Sequence, residues 1–341
     1  MSPQFVDFNA DGHLDIVAGI FDGSPHVAFG DGKGWQQPVG ILDKDGARIV
    51  MNDFWNFDTK KWDATTRCDP AGAAVVTGHL TSTWAADWDG DGDFDLLLGD
   101  HKGGQVMVRI NEGSNAQPSF ATKNVPVLAG GKPMVVPGTV TTLRLVDWNG
   151  DGVQDLLVGS MGDSYGNRTG GGVFVYLNEG SDAAPKFDAA TTLIEPSAKG
   201  AAAPARPDSG LYMDVGDVDG DGDLDLIVGG YAIWTPPAPA LDAAQQVRVA
   251  ELQKELADLN AVMQDFYKSI EEATKGLDEA AATAKRAELL KERNQVFQEM
   301  SKKRAAVQRE LEPLTPGQKR KSFTWLYENL GKGAVDASAR R

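Results

Sequence analysis

The sequence predicts a mainly β chain: a β-propeller of four-stranded blades with an antiparallel α-helical coiled-coil hairpin inserted in its last blade. Three observations predict this. A nine-residue acidic segment occurs four times, each copy running into a short aliphatic stretch closed by glycine. A second strand-like segment recurs between the copies. Residues 241–316 abandon both patterns for apolar residues at heptad spacing.

Composition bounds the function. The 341 residues carry 33 Lys and Arg against 49 Asp and Glu, a net charge of −16. That length allows two or three domains, and a 41% hydrophobic fraction argues against wholesale disorder. The single cysteine, Cys68, permits no internal disulfide and no paired-cysteine zinc site. No run approaches the roughly 20 apolar residues of a membrane span. Met1-Ser2-Pro3 leads straight into the first motif, with no signal peptide in view. Excess acid disfavours nucleic acid, which is held by Lys and Arg on phosphates, and suits a cation.

The acid is concentrated. The first segment runs from Asp7 through Asn9, Asp11 and His13 to Asp15. The second places Asp87, Asp89, Asp91, Asp93 and Asp95 at the same spacing. The third has Asp147, Asn149, Asp151, Val153 and Asp155, and the fourth Asp217, Asp219, Asp221, Asp223 and Asp225. Fourteen carboxylates fill positions 1, 3, 5 and 9, so the rest of the chain sits at only −2. Two such charges ~4 Å apart repel by roughly 4 kcal/mol at an effective dielectric of ~20, so a cation among them is expected. Oxygen-only ligands at alternating positions with Gly at position 6 suit Ca²⁺ better than Mg²⁺, and transition metals would recruit His or Cys. Positions 1, 3, 5 and 9 would offer side chains and position 7 its backbone carbonyl, which lets His13, Asp93, Val153 and Asp223 differ. An EF-hand needs Glu at position 12; here that position is Ala18, Leu98, Val158 and Val228, inside strand-like runs ending at Gly19, Gly99, Gly159 and Gly229.

The loops begin at residues 7, 87, 147 and 217, a spacing that signals repeats. Gly104–Ser114 matches Gly172–Ser181, and each is followed by Pro-x-Phe, at Pro118–Phe120 and Pro185–Phe187. Between the second and third loops, residues 95–99, 104–111, 125–129 and 140–146 are four extended stretches, the count of a propeller blade. These segments resemble the FG-GAP/VCBS repeat family, the calcium-loop blades also found in integrin α-subunit heads, over residues 4–234 and 322–332. The resemblance implies a β-propeller with Ca²⁺ in about four loops, in a protein that is extracellular, periplasmic or on a cell surface. Family propellers commonly close with seven blades and four loops are seen here, so the expectation is either a small propeller or one with its N-terminal blades outside this chain.

Residues 1–240 are thus expected to form the blades, 241–316 the hairpin, 317–332 a returning strand of the last blade, and 333–341 a flexible tail. In the hairpin, Val249, Leu252, Leu256, Leu259, Met263, Phe266 and Ile270 step alternately by 3 and 4. Asp242 with Gln245 predicts a capping box, Gly276 a stop, Asp278 a second cap and Pro313 a second stop. The segment 322–331 repeats the pattern of 106–113, which makes the hairpin an insertion between strands. Its nearly balanced charge fits either a spacer or an arm that binds a partner or another copy.

No nucleophile motif, zinc-protease motif or phosphate loop is present. The reading is a non-catalytic module for adhesion, assembly or ligand binding; the alternative is the propeller part of a polysaccharide-acting enzyme. Residues 43–82 form an enlarged segment in which Trp55, Phe57 and Trp62 stand beside Asn and Asp. They could bind a protein or glycan ligand, or fill that segment's own small core. No nucleic-acid partner and no transmembrane segment are expected.

Overall fold

The computed structural model describes residues 3–70, 78–162, 170–196 and 206–330; the predicted tail at 333–341 lies outside them. The chain divides into two compact units, residues 1–233 with 320–341, and residues 234–319. It is mainly β, with six small sheets among the described residues and two helices late in the chain.

Sheet 1 is a meander of β1 (Gln4–Val6), β2 (Asp15–Gly19), β3 (Pro25–Ala28) and β4 (Val39–Gly40). A hairpin of β5 (Asp53–Asn56) and β6 (Lys61–Ala64) follows. Sheet 2 takes β7 (Leu80–Ala86), β8 (Asp95–Asp100), β9 (Val106–Arg109) and β10 (Val125–Pro126), and a small hairpin pairs β11 (Leu128–Ala129) with β12 (Lys132–Pro133). Sheet 3 takes β13 (Val140–Val146), β14 (Asp155–Ser160), β15 (Val173–Tyr176) and β16 (Thr191–Ile194). Sheet 4 holds β17 (Ser209–Gly216), β18 (Asp225–Trp234) and β19 (Lys319–Tyr327). Four strands per repeat is the observed count in sheets 1 to 3. The stretch 140–146, however, opens sheet 3 and does not close sheet 2, because each acidic loop joins the first and second strands of its own sheet.

The sheets stack in chain order: β2 on β7, β7 and β8 on β13, β13 and β14 on β17. Side chains alternate across a strand, so the unbroken aliphatic runs are explained by two covered faces. Leu96 and Leu98 of β8 enter the core between sheets 1 and 2, while Leu97 enters the core between sheets 2 and 3. Leu156 and Val158 of β14 join that second core, and Leu157 joins the third. In β18 of sheet 4, Leu226 and Val228 are buried, yet Ile227 between them is 39% exposed.

In sheets 1 to 3 the glycine near the end of the second strand is a point of close approach to the next sheet. A Cβ on Gly19 would lie 2.7 Å from Leu80, one on Gly99 2.5 Å from Val140, and one on Gly159 2.1 Å from the Leu211 carbonyl. Polar ties run between the first strands. Gln4 exchanges two hydrogen bonds with the Ala85 backbone, and Arg144 lies over the Trp84 ring and donates to Asp214.

The second unit contains α1 (Ala243–Thr274) and α2 (Glu279–Leu311). The Asp242–Gln245 capping box forms, and Asp278 caps α2. The helices run antiparallel, with Arg248 bonded to Glu310 at 2.6 Å and Phe266 against Phe297 at 4.6 Å. Val249, Leu252 and Ile270 are buried on α1, and Ala282 and Val307 on α2.

Candidate metal centre

All four loops share one backbone. Position 6 is left-handed in each, with φ of 89°, 93°, 89° and 98° at Gly12, Gly92, Gly152 and Gly222, a region that side chains other than Gly avoid. Position 4 is left-handed too, and there Ala10 (φ 57°) stands where the other loops have Gly. The position-1 carboxylate then caps the turn: Asp7, Asp87, Asp147 and Asp217 each accept from the position-6 amide at 2.9–3.2 Å.

Position 9 also has a structural job. Asp15, Asp95, Asp155 and Asp225 are all buried. In each, one oxygen accepts from the position-2 amide, of Phe8, Trp88, Trp148 and Val218, at 2.9–3.1 Å. The other accepts from the amide at the end of the third strand, of Gly30, Asn111, Asn178 and Asn329, at 2.6–2.9 Å. These carboxylates clasp loop to sheet, a role not visible in loop spacing alone.

Position 3 sorts the loops into two kinds. In loops 1 and 3 it is Asn, and its amide donates to the position-5 carboxylate: Asn9 to Asp11 at 3.0 Å, Asn149 to Asp151 at 2.8 Å. In loops 2 and 4 it is Asp, which donates nothing. Asp87, Asp89 and Asp91 bring one oxygen each within 4.8 Å of one another, and so do Asp217, Asp219 and Asp225. These two clusters can hold a metal ion. The fit is sharpest at Asp93. It is 5% exposed, and neither of its oxygens has a hydrogen-bond partner. Burial, then the charges of Asp91, Asp89 and Asp87, push its pKa up to about 6. Burial likewise pushes Asp95 up to about 7. Asp223 Oδ1 is also unpartnered, and burial followed by Asp221 raises that group. Position 7 therefore adds a carboxylate in loops 2 and 4, beyond the backbone carbonyl expected of it, while His13 and Val153 add no acid.

Asp89→Asn copies loops 1 and 3 into loop 2. Its amide should quiet Asp91, so the variant should melt higher than the parent in chelator and gain less from added calcium, as read by paired thermal melts.

The sequence-predicted aromatic residues lie at the opposite end of the sheets. Trp55 and Trp62 face each other across the β5–β6 hairpin, ring centroids 5.9 Å apart. Trp62 also meets Phe21 at 5.5 Å and His79 at 4.5 Å, and His79 meets His101 at 4.7 Å. Phe21, Phe57 and Trp62 are 65%, 62% and 39% exposed, so a surface group forms and not a sealed core. Burial pushes His79 down to about 4, which keeps it a neutral stacking ring near pH 7. Phe21, His79 and His101 were missed from sequence because three separate turns carry them. Asn115 and Asp182 were missed as well. Their Oδ1 atoms accept from loop amides of Phe94 and Gln154, both at 2.7 Å, and their shared place after Glu-Gly-Ser was the available signal.

Comparison with curated proteins gives no match. Among the described residues, no helix is long and apolar enough to cross a membrane. A family model described as an FG-GAP-like repeat matches residues 87–158 and again residues 147–228. Each match begins at position 1 of one acidic loop and ends inside the aliphatic strand after the next, so the repeat defined by the family is the loop-and-sheet unit seen here. Residues 87–228 of the chain are thus FG-GAP-like repeats.

Proposed function

We propose that this chain is a calcium-stabilised, non-catalytic module, its sheets arranged as propeller blades, that binds a protein or glycan ligand outside the cell or at its surface. The observation that carries the metal reading is Asp93, a buried carboxylate without a donor, ringed by three further acids. Calcium would be held by positions 1, 3, 5 and 7 of each loop, with position 9 fixing the loop to its sheet and, in loop 4, adding Asp225 to the ligand cluster. The FG-GAP match supports the compartment, and extracellular modules bind calcium in the 10⁻⁴–10⁻³ M range. The helical pair, residues 241–316, is read as a coiled-coil arm inserted in the last blade, suited to a partner or a second copy.

Ligand binding is assigned to the Phe21–Trp55–Trp62 group, whose rings offer flat apolar faces beside polar edges. Glycan and protein arrays probed with the calcium-loaded chain test this. A bound ligand should lose at least about tenfold in affinity to Trp62→Ala, the loss typical of an interfacial aromatic anchor. An undiminished signal would remove the assignment. Product analysis on any bound glycan separates the module from the polysaccharide-acting enzyme that the same aromatic residues would suit.

A further inference from the structure

The two helices of the second unit divide their charge unevenly. Along α1 there are three Lys or Arg against six Asp or Glu, and along α2 eight against five, so α1 is at −3 and α2 at +3. The hairpin does not use this asymmetry itself. Among the described residues, the ion pair that joins the helices is Arg248 with Glu310, which runs against it: the base is on α1 and the acid on α2. The pairs Arg248–Glu251, Lys254–Asp258 and Lys285–Glu288 each stay on one helix. Glu255 and Asp265 of α1, and Arg293 and Arg304 of α2, have no ion pair among the described residues.

The unused charge is ordered. Glu251, Asp258, Asp265 and Glu272 recur every seventh residue and so form one stripe along α1. Arg293 and Arg304 fall within the 3–4 spacing of Leu290, Phe297, Met300 and Val307, yet both are exposed. Around them the seam is open. Leu256, Leu259, Met263 and Phe266 of α1, and Phe297 and Met300 of α2, are only half-buried. Val262, Leu290 and Val296 are 55%, 43% and 46% exposed. The contacts of Arg248 with Glu310 and of Phe266 with Phe297 fix the levels, because antiparallel α-helices rise equally per residue. Arg304 is then level with the stretch from Lys254 to Leu259, which holds Glu255 and Asp258. Arg293 is level with the stretch from Asp265 to Ile270.

We propose that the hairpin binds the hairpin of a second copy of this chain, the two lying side by side and running the same way, so that α2 of each faces α1 of the other in a four-helix bundle. Every neighbouring pair of helices is then antiparallel, as in an up-and-down bundle. Arg304 meets Glu255 and Asp258 of the second copy and Arg293 meets its Asp265, and two-fold symmetry makes each contact twice. Charge selects this occupant. The acidic stripe of α1 needs a basic helix at matched levels, and the chain carries that helix, whose bases its own α1 leaves unpaired. The same contact covers Val262, Leu290 and Val296. The inference rests on the reading of residues 241–316 as an arm, and on neither the metal nor the ligand reading.

The test is sedimentation equilibrium of the full chain in calcium-containing buffer, with two charge-reversed variants. The parent should dimerise in a concentration-dependent way. Arg293→Glu with Arg304→Glu makes both helices acidic, and Glu255→Lys with Asp258→Lys and Asp265→Lys makes both basic. Each variant alone should dimerise at least about tenfold more weakly, because like charges then face each other, while its helical far-ultraviolet signal stays unchanged. An equimolar mixture of the two should dimerise again, since each reversed helix now meets its complement. A purely structural role for these side chains would give no such rescue. A parent that stays monomeric at about 0.1 mM, which places any Kd above that value, overturns the second copy and leaves the face to a different partner. A dimer that the variants do not weaken, or that their mixture does not restore, lies elsewhere on the chain and overturns the proposal too. Hydrogen exchange over residues 243–311 of the parent separates the two readings: unprotected helices would sink the arm and the pairing together, and protected helices in a monomer would sink the pairing alone.

Discussion

Chelating calcium should lower the melting midpoint of the β unit by roughly 6–12 °C if only loops 2 and 4 are filled. At calcium ten times the Kd a filled site adds about 1.4 kcal/mol, so two add about 3. For a unit of this size each 1 kcal/mol moves the midpoint by roughly 2–4 °C. Filling loops 1 and 3 as well would about double the shift. Loops 2 and 4 are expected to dominate, because Asp at position 3 leaves their acids unrelieved and Asp93 and Asp223 add a seventh-position carboxylate. The pH dependence carries the same signature. Asp93 and Asp95 have folded pKa values raised to about 6 and about 7, above the unfolded value near 3.9. Their contribution to metal-free stability is therefore fully present below about pH 4 and is lost as pH rises through 6 to 7. Metal-free protein should melt lower at pH 8 than at pH 6, and calcium should erase that difference by replacing the proton. Paired melts with calcium and chelator at both pH values read both effects. A midpoint indifferent to calcium at pH 8 would sink the metal reading.

Much of this was legible in the sequence because it is local. The Asp-Gly spacing encodes two left-handed positions and a capped turn, and needs no information beyond nine residues. The unbroken aliphatic runs 96–98 and 156–158 announce two buried faces, since alternation would have left every second residue polar. Asp242 with Gln245, and Asp278, mark helix starts by chemistry confined to one turn. What was not legible is what distant segments do together. Trp62 reads as a loop aromatic until Phe21, His79 and His101, from three other turns, are found against it. The two Pro-x-Phe segments read as punctuation, yet their rings are buried in the neighbouring junction. The difference between Asn and Asp at position 3 was printed in the sequence, but its consequence depends on whether the amide reaches the position-5 carboxylate.

The same division between local and non-local roles separates two aspartates that spacing alone treats as equivalent ligands. Asp95→Ala should destabilise the chain strongly even without calcium, and Asp91→Ala should not. Asp95 is 1% exposed and holds two backbone donors, Trp88 N at 3.0 Å and Asn111 N at 2.6 Å. Alanine would leave both amides without their acceptor at a position that is 1% exposed. Each orphaned donor costs about 1–3 kcal/mol, so the pair costs roughly 2–6 kcal/mol. The strands they anchor also carry Leu96, Leu98 and Met107 into the first core, so loosening the clasp loosens the packing. Asp91 is exposed, and the amide that it accepts from within the loop, Asp93 N at 3.0 Å, is only part-buried. Removing it also relieves repulsion, which offsets that bond. In chelator, urea denaturation should therefore show a large loss for Asp95→Ala and little change for Asp91→Ala. In calcium, both variants should lose the part of the calcium-dependent gain that comes from loop 2. Equal losses in chelator would mean that position 9 is only another ligand, and that the clasp is not what joins loop to sheet.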